Sequence, residues 1–177
     1  MKGMRSFATV LVLTIGAMPV ARAGDSVQLT LQGSIEPTCR IAVGTGSIDL
    51  GDLGKAGSIS ETFSLSCNAP FTIEIEADGG AFVAADPPPS SGPFESAIAY
   101  RARLSVPLSD GSRVDTGFCD SAELTAATTG GCRQASAADA AINQTATLDV
   151  EWTDPGATPR LAGEYSDRIE IRLRATL

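Results

Sequence analysis

The residues able to do chemistry in this chain are few. It has no histidine among 177 residues, which removes the Ser-His-Asp triad and the imidazole base. Glu74 and Glu76 form the best carboxylate pair, and a glycosidase needs two carboxyl groups flanking a sugar. Their i, i+2 spacing would hold them about 6–7 Å apart along one strand. They alternate with Ile73 and Ile75, however, and so read as solvent-facing charges that pair across strands with Arg168, Arg172 and Arg174. Asp49 and Asp52 stand beside glycines but lack the spacing of an EF-hand calcium loop. Asn143-Gln144-Thr145 has the form of a glycosylation sequon, and Gly44-Thr45-Gly46 has no phosphate-loop context. The expectation is a protein that is not an enzyme, with no cofactor and no metal.

The remaining reactive groups are four cysteines, Cys39, Cys67, Cys119 and Cys132. No C-x-x-C spacing is present, so zinc is disfavoured. The start of the chain supplies the context. Lys2 and Arg5 precede an apolar run from Phe7 to Val20, and Ala21-Arg22-Ala23 has the small-x-small pattern of a signal-peptidase site. The run is shorter than the roughly 20 apolar residues of a membrane span. Cleavage after Ala23 is therefore predicted, with delivery to an oxidising compartment where an even number of cysteines pairs. Three connectivities are open. Cys39–Cys67 with Cys119–Cys132 is favoured, closing loops that contribute roughly 3.6 and 3.0 kcal/mol on a chain-entropy account.

Removing residues 1–23 takes away three of the 13 basic residues and no acidic one, leaving 154 residues with a net charge of −11. Such a surface repels phosphate backbones and anionic lipid. No nucleic-acid partner is expected, and no direct membrane insertion after signal cleavage.

The elements that must position these residues read in twos. Phe63, Leu65 and Cys67 alternate with polar partners, as do Phe71, Ile73, Ile75 and Ala77. Ile98 to Val106, Ala146 to Trp152 and Ile169 to Ala175 repeat the pattern. Strict alternation marks antiparallel strands buried on one face. Asp78-Gly79-Gly80, Asp110-Gly111 and Asp154-Pro155-Gly156 punctuate the runs, and the proline-rich stretch from Asp86 to Pro93 predicts an exposed loop. A strand is expected around Cys39 and a short one near Ile48 and Leu50. Ala135 to Ala141 is Ala-rich enough for one helical turn, and Cys119 to Cys132, if bridged, makes a stapled loop on the rim.

The N-terminal run is the most informative. Val27, Leu29, Leu31, Gly33, Ile35, Pro37, Cys39, Ile41 and Val43 all occupy odd positions. A straight strand of that length would extend roughly 53 Å, against about 17–20 Å for an ordinary strand. The chain must bend at Gly33 or Pro37, or its first part must pack elsewhere. At the other end the last alternating run reaches Leu177, while an immunoglobulin-type sandwich needs about seven strands. An unfilled edge would expose core side chains worth roughly 1.5–3 kcal/mol each.

These residues resemble the spore coat protein U-like domain family, which includes subunits of archaic chaperone–usher pili. The matching pieces are G-S-I-E-P-T-C-R-I at Gly33 to Ile41, I-D-L-G-D-L at Ile48 to Leu53, S-L-S-C at Ser64 to Cys67, and G-E-Y-S-D-R-I-E-I-R-L at Gly163 to Leu173. The resemblance implies an all-β, incomplete immunoglobulin-like β-sandwich of about six to seven antiparallel strands, completed by a donor strand. It implies a signal peptide over 1–23, an N-terminal extension over 24–36 and the sandwich domain over 37–177. Val27, Leu29, Leu31, Gly33 and Ile35 would be the donor strand, and Ile169, Ile171 and Leu173 would line the acceptor groove. Cys39 and Cys67 would be the family's N-terminal pair, whereas the Cys119–Cys132 region departs from its pattern.

The function so implied is that of a structural subunit of an exported pilus or fimbria. Its partners would be a periplasmic chaperone, an outer-membrane usher and neighbouring subunits. Strand addition supplies the physics: the donor's backbone pairs with a sheet edge and alternate side chains fill pockets. Repeated head to tail, such contacts build a filament. The alternative is a secreted or coat-associated β-sandwich that completes its own fold and binds a ligand or surface.

Overall fold

Strand β3 (Phe71–Ala77) shows how the alternation is used. Phe71, Ile73, Ile75 and Ala77 are buried, while Thr72, Glu74 and Glu76 face outward. The same period runs through β2 (Gly57–Cys67), β6 (Tyr100–Pro107), β10 (Ala141–Trp152) and β12 (Ile169–Ala175). The computed structural model describes residues 28–42, 46–86, 92–126 and 132–176. The proposed signal peptide at 1–23, Val27, Val43 and most of the proline-rich loop lie outside the described residues.

The chain divides into two units, residues 1–34 and 35–177. In the described part of the first, residues 28–34 form neither helix nor strand, and Leu29 and Leu31 are 80% and 92% exposed. The second unit is all-β and sandwich-like. Its largest sheet has the order β1 (Cys39–Ala42), β2, β10, β6, β7 (Arg113–Asp115), with β8 (Cys119–Asp120) also on β6. A second sheet has the order β12, β3, β9 (Gln134–Ala137), and a third the order β11 (Tyr165–Ser166), β4 (Phe82–Ala84), β5 (Ala97–Ile98). All of these pairings are antiparallel.

The layers meet through their apolar faces. Phe82 of β4 stacks on Tyr100 of β6 with centroids 4.4 Å apart and meets Trp152 of β10 edge-on at 6.3 Å. Gly57 is required beneath that indole, because a Cβ there would stand 2.4 Å from Trp152 Cζ2. Among the described residues no helix is long and apolar enough to cross a membrane.

Two expectations about local structure are corrected. Ala135 to Ala141 contains no helical turn. Residues 134–137 form β9, which pairs with β3 in the register Ala137↔Phe71 and Ala135↔Ile73. Nor is there a strand at Ile48 and Leu50. There the side chains take the backbone donors: Asp49 Oδ1 accepts from Gly51 N at 2.9 Å and Asp52 Oδ1 from Gly54 N at 2.8 Å. Such Asx turns compete with a ladder.

Candidate functional site

The two sides of the sandwich differ. On the β9 side the layers are laced together. Ser109 N donates to Ala140 O at 2.8 Å, and the disulfide Cys119–Cys132 crosses between layers. Cys119 pairs through β8 with Ala102 of β6, while Arg133, next to Cys132, accepts a hydrogen bond at its carbonyl from Ile75 N of β3 at 2.9 Å. Cys119 is fully buried in the core. The expected rim loop is thus a clamp across the layers, extended by the 3₁₀ turn at Ser121–Leu124, whose Leu124 is also buried.

On the opposite side the layers meet where β1 approaches β12 and part beyond the end of β1. β12 pairs with β3 along its length, with Ile169 opposite Ala77, Ile171 opposite Ile75 and Leu173 opposite Ile73. Its other edge has no strand partner among the described residues. The β3 residues are fully buried, yet Ile169, Ile171 and Leu173 are only half-buried. In the facing sheet, β1 pairs with β2 only over residues 64–67, leaving the 57–63 half of β2 without a described strand on that side. A cavity of about 970 Å³ opens along this seam. Its floor is made by Ile59, Phe82, Ile98, Leu148 and Val150, and its walls include Leu50 and Leu53 on one side and Leu161, Tyr165 and Ile169 on the other.

The walls are held by specific polar contacts. Arg160 donates through Nη1 to Leu53 O and through Nη2 to Thr153 O, while its Nε is buried without a hydrogen-bond partner among the described residues. Tyr165 Oη lies 2.7 Å from Leu161 O and 3.1 Å from Glu95 O. A tyrosine at the start of a late strand, bonded to the backbone four residues upstream, is the arrangement of the tyrosine corner in immunoglobulin-type sandwiches. Desolvation pushes the Tyr165 hydroxyl above its ordinary range. Neither Tyr165 nor Arg160 stood out in the sequence, although Tyr165 opens the last alternating run.

The first disulfide, Cys39–Cys67, joins directly opposed residues of β1 and β2. Beside it Asn68 clips the chain that enters β1. Its Oδ1 accepts from Thr38 N at 2.7 Å, and its Nδ2 donates to Glu36 O at 3.1 Å. Of the residues assigned to a donor strand, Leu29, Leu31, Gly33 and Ile35 belong to no sheet, and Ile35 is 88% exposed. Both disulfides match the favoured pairing.

The charged groups considered for chemistry are occupied by one another. Glu74 pairs with Arg133 at 2.8 Å rather than with the last strand, and Glu76 with Arg172 at 2.6 Å. The hydrogen bonds it donates to Glu170 and Glu76 hold the Arg172 guanidinium above its usual range. Arg168 reaches Asp78 at 3.9 Å. Among the described residues no group of three or more ligating side chains is placed to hold a metal ion. What the site offers is a strand edge without a described partner, whose first residue Ile169 borders a cavity with an apolar floor and a mixed polar rim; Ile171 and Leu173 lie outside that cavity.

No family model matches the chain, and no curated protein matches it. Among solved structures it is similar to a chain of one described as "Chaperone-tip adhesin complex is vital for synergistic activation of CFA/I fimbriae biogenesis", at 15% identity and a TM-score of 0.43. The alignment covers 78% of this chain and 42% of that one, so the chain spans less than half the length of that neighbour.

Proposed function

We propose that this chain is a structural subunit of an exported surface pilus, polymerising by donor-strand exchange through a chaperone–usher pathway. The observation that carries the reading is the open seam, where the free edge of β12 borders a cavity floored by core residues. Residues 27–35 are the donor strand, and a neighbouring copy's arm fills the groove lined by Ile169, Ile171 and Leu173. Before assembly a periplasmic chaperone covers the same edge, because an exposed apolar edge invites aggregation. The outer-membrane usher then exchanges chaperone for arm. In this reading the chain belongs to the family of spore coat U-like domains, and residues 1–23 are removed on export.

The test is expression of the whole gene with and without a cognate chaperone, followed by unboiled SDS gels of the periplasmic and surface fractions. Ladders that depend on the chaperone are expected. A stable, strictly monomeric product made without any chaperone would overturn the proposal. That outcome supports the second reading, a self-contained secreted or coat-associated sandwich, which is favoured by the clamp at Cys119–Cys132 that already joins the layers.

A further inference from the structure

The root of the N-terminal arm is fixed to the domain by one side chain. Asn68 follows Cys67, and Thr38 precedes its partner Cys39. Asn68 N donates to Thr38 O at 3.2 Å, Oδ1 accepts from Thr38 N at 2.7 Å, and Nδ2 donates to Glu36 O at 3.1 Å. Between the two held residues stands Pro37, whose ring fixes its own φ and keeps Glu36 extended. Residues 36–38 are thus stiffened from two directions, whereas residues 28–35 before them belong to no sheet.

This root lies at the end of the domain remote from the cavity. β1 runs from Cys39, opposite Cys67, to Ala42, opposite Ser64, and so leads toward the 57–63 half of β2. The cavity floor lies at that half, where Ile59 pairs with Val150 of β10. Residues 36–38 precede β1, and Asn68 holds them beyond the Cys39–Cys67 pair. The chain therefore leaves the domain on the side away from its own groove. Length does not forbid a return. From Cys67 back to Ile59 along β2 is about 26 Å, and residues 28–36, fully extended, also span about 26 Å. An arm that reversed at its root would reach the cavity of the same molecule.

We propose that Asn68, together with Pro37, is a positioning device that keeps the arm out of its own groove, so that strand addition runs between copies. The proposal rests on the donor-strand reading, with residues 27–35 of a second copy as the occupant. A tethered arm meets its own groove at a high effective concentration, which a neighbouring copy in dilute solution does not match. Self-filling would therefore win if the root were free to turn. Reversal at residues 36–38 has to break the bonds to Thr38 N and Glu36 O. The clip sets that penalty against self-filling and presents the arm outward, already ordered at its root, which lowers the ordering cost of each joint. Asparagine suits the position because its amide both accepts and donates, whereas Asp would keep only the acceptor and Ala neither.

The experiment expresses the whole gene with a cognate chaperone and separates the products on unboiled SDS gels and by size-exclusion chromatography. The parent is expected to give ladders. Asn68→Ala should raise the ratio of monomer to polymer roughly tenfold, the effect of losing two ordinary hydrogen bonds, and Asn68→Asp should raise it less. Pro37→Gly loosens the same root without touching Asn68 and should act in the same direction. The monomers so made should be self-filled, and should not bind a fluorescent synthetic peptide of residues 24–36 that the parent's chaperone-held subunit takes up. Unchanged ratios in Asn68→Ala and Pro37→Gly overturn the proposal while leaving the donor-strand reading intact, as do variant monomers that still take up the peptide. A lower urea midpoint with an unchanged ratio makes Asn68 a turn-stabilising residue only, and overturns the proposal as well. A parent that is monomeric with and without chaperone, and takes up no peptide, removes the donor-strand reading and this proposal together. Should Asn68→Ala fail to fold, Pro37→Gly carries the test by the same two readouts.

Discussion

The hydroxyl of Tyr100 donates to Asp167 Oδ2 at 2.8 Å, joining the inner face of β6 to the break between β11 and β12. Asp167 Oδ1 accepts from Gly79 N, at the facing break between β3 and β4, and from Arg168 N, each at 2.8 Å. One carboxylate therefore holds both interruptions of the second layer in place and ties them to the first. These breaks let the layer continue from β12 into β11 beside the cavity, so this contact shapes one wall of the groove.

Tyr100→Phe is expected to destabilise the protein by about 1.5–3 kcal/mol, the range for a hydrogen bond to a charged group. Urea denaturation checks it. Burial, and then the hydrogen bond and charge of Asp167, push the Tyr100 phenol far above its ordinary value. A group raised in the folded state contributes stability that is complete below its unfolded value, about 10, and is lost as pH rises beyond it. Alkaline titration at the tyrosinate absorbance should show Tyr100 ionising only with unfolding, and Tyr100→Phe should flatten the alkaline loss of stability.

Replacing the clamp by Cys119→Ala with Cys132→Ser is expected to cost about 2–4 kcal/mol. The loss should appear as a lower urea midpoint. Reductant, which also opens Cys39–Cys67, should lower the parent's midpoint at least as far.

Gly57→Ala should displace the indole of Trp152, because the new methyl would meet Cζ2 and Cε2 well inside contact distance. The expected penalty is about 1–3 kcal/mol for overpacking. Trp152 is the only tryptophan of the chain, so its emission maximum reports the shift without interference.

Leu29→Lys and Leu31→Lys should leave the urea midpoint of the monomer within about 0.5 kcal/mol, as for exposed sites, and should abolish polymer ladders. Retained binding of the chaperone is expected, since the chaperone fills the groove and not the arm. Loss of folding in either variant would place these leucines in the domain's own core.

The strands with strict alternation were legible because a period of two is a local property of the backbone. β3 and the last strand were readable from Phe71 to Ala77 and from Ile169 to Ala175 for that reason. β9 was not, since Gln134–Ala137 is a strand only by virtue of the β3 edge it completes. Ile48 and Leu50 alternated convincingly, but the side chains of Asp49 and Asp52 captured the neighbouring amides first.

The sequence by itself determined the class of fold, the scarcity of catalytic groups and the apolar pattern of the arm. It did so because composition and alternation act residue by residue. Only the tertiary structure decided that Cys119–Cys132 spans the layers, that Arg160 and Tyr165 brace the walls, and that a cavity is left where β1 stops short along β2. Those features depend on which distant edges find partners.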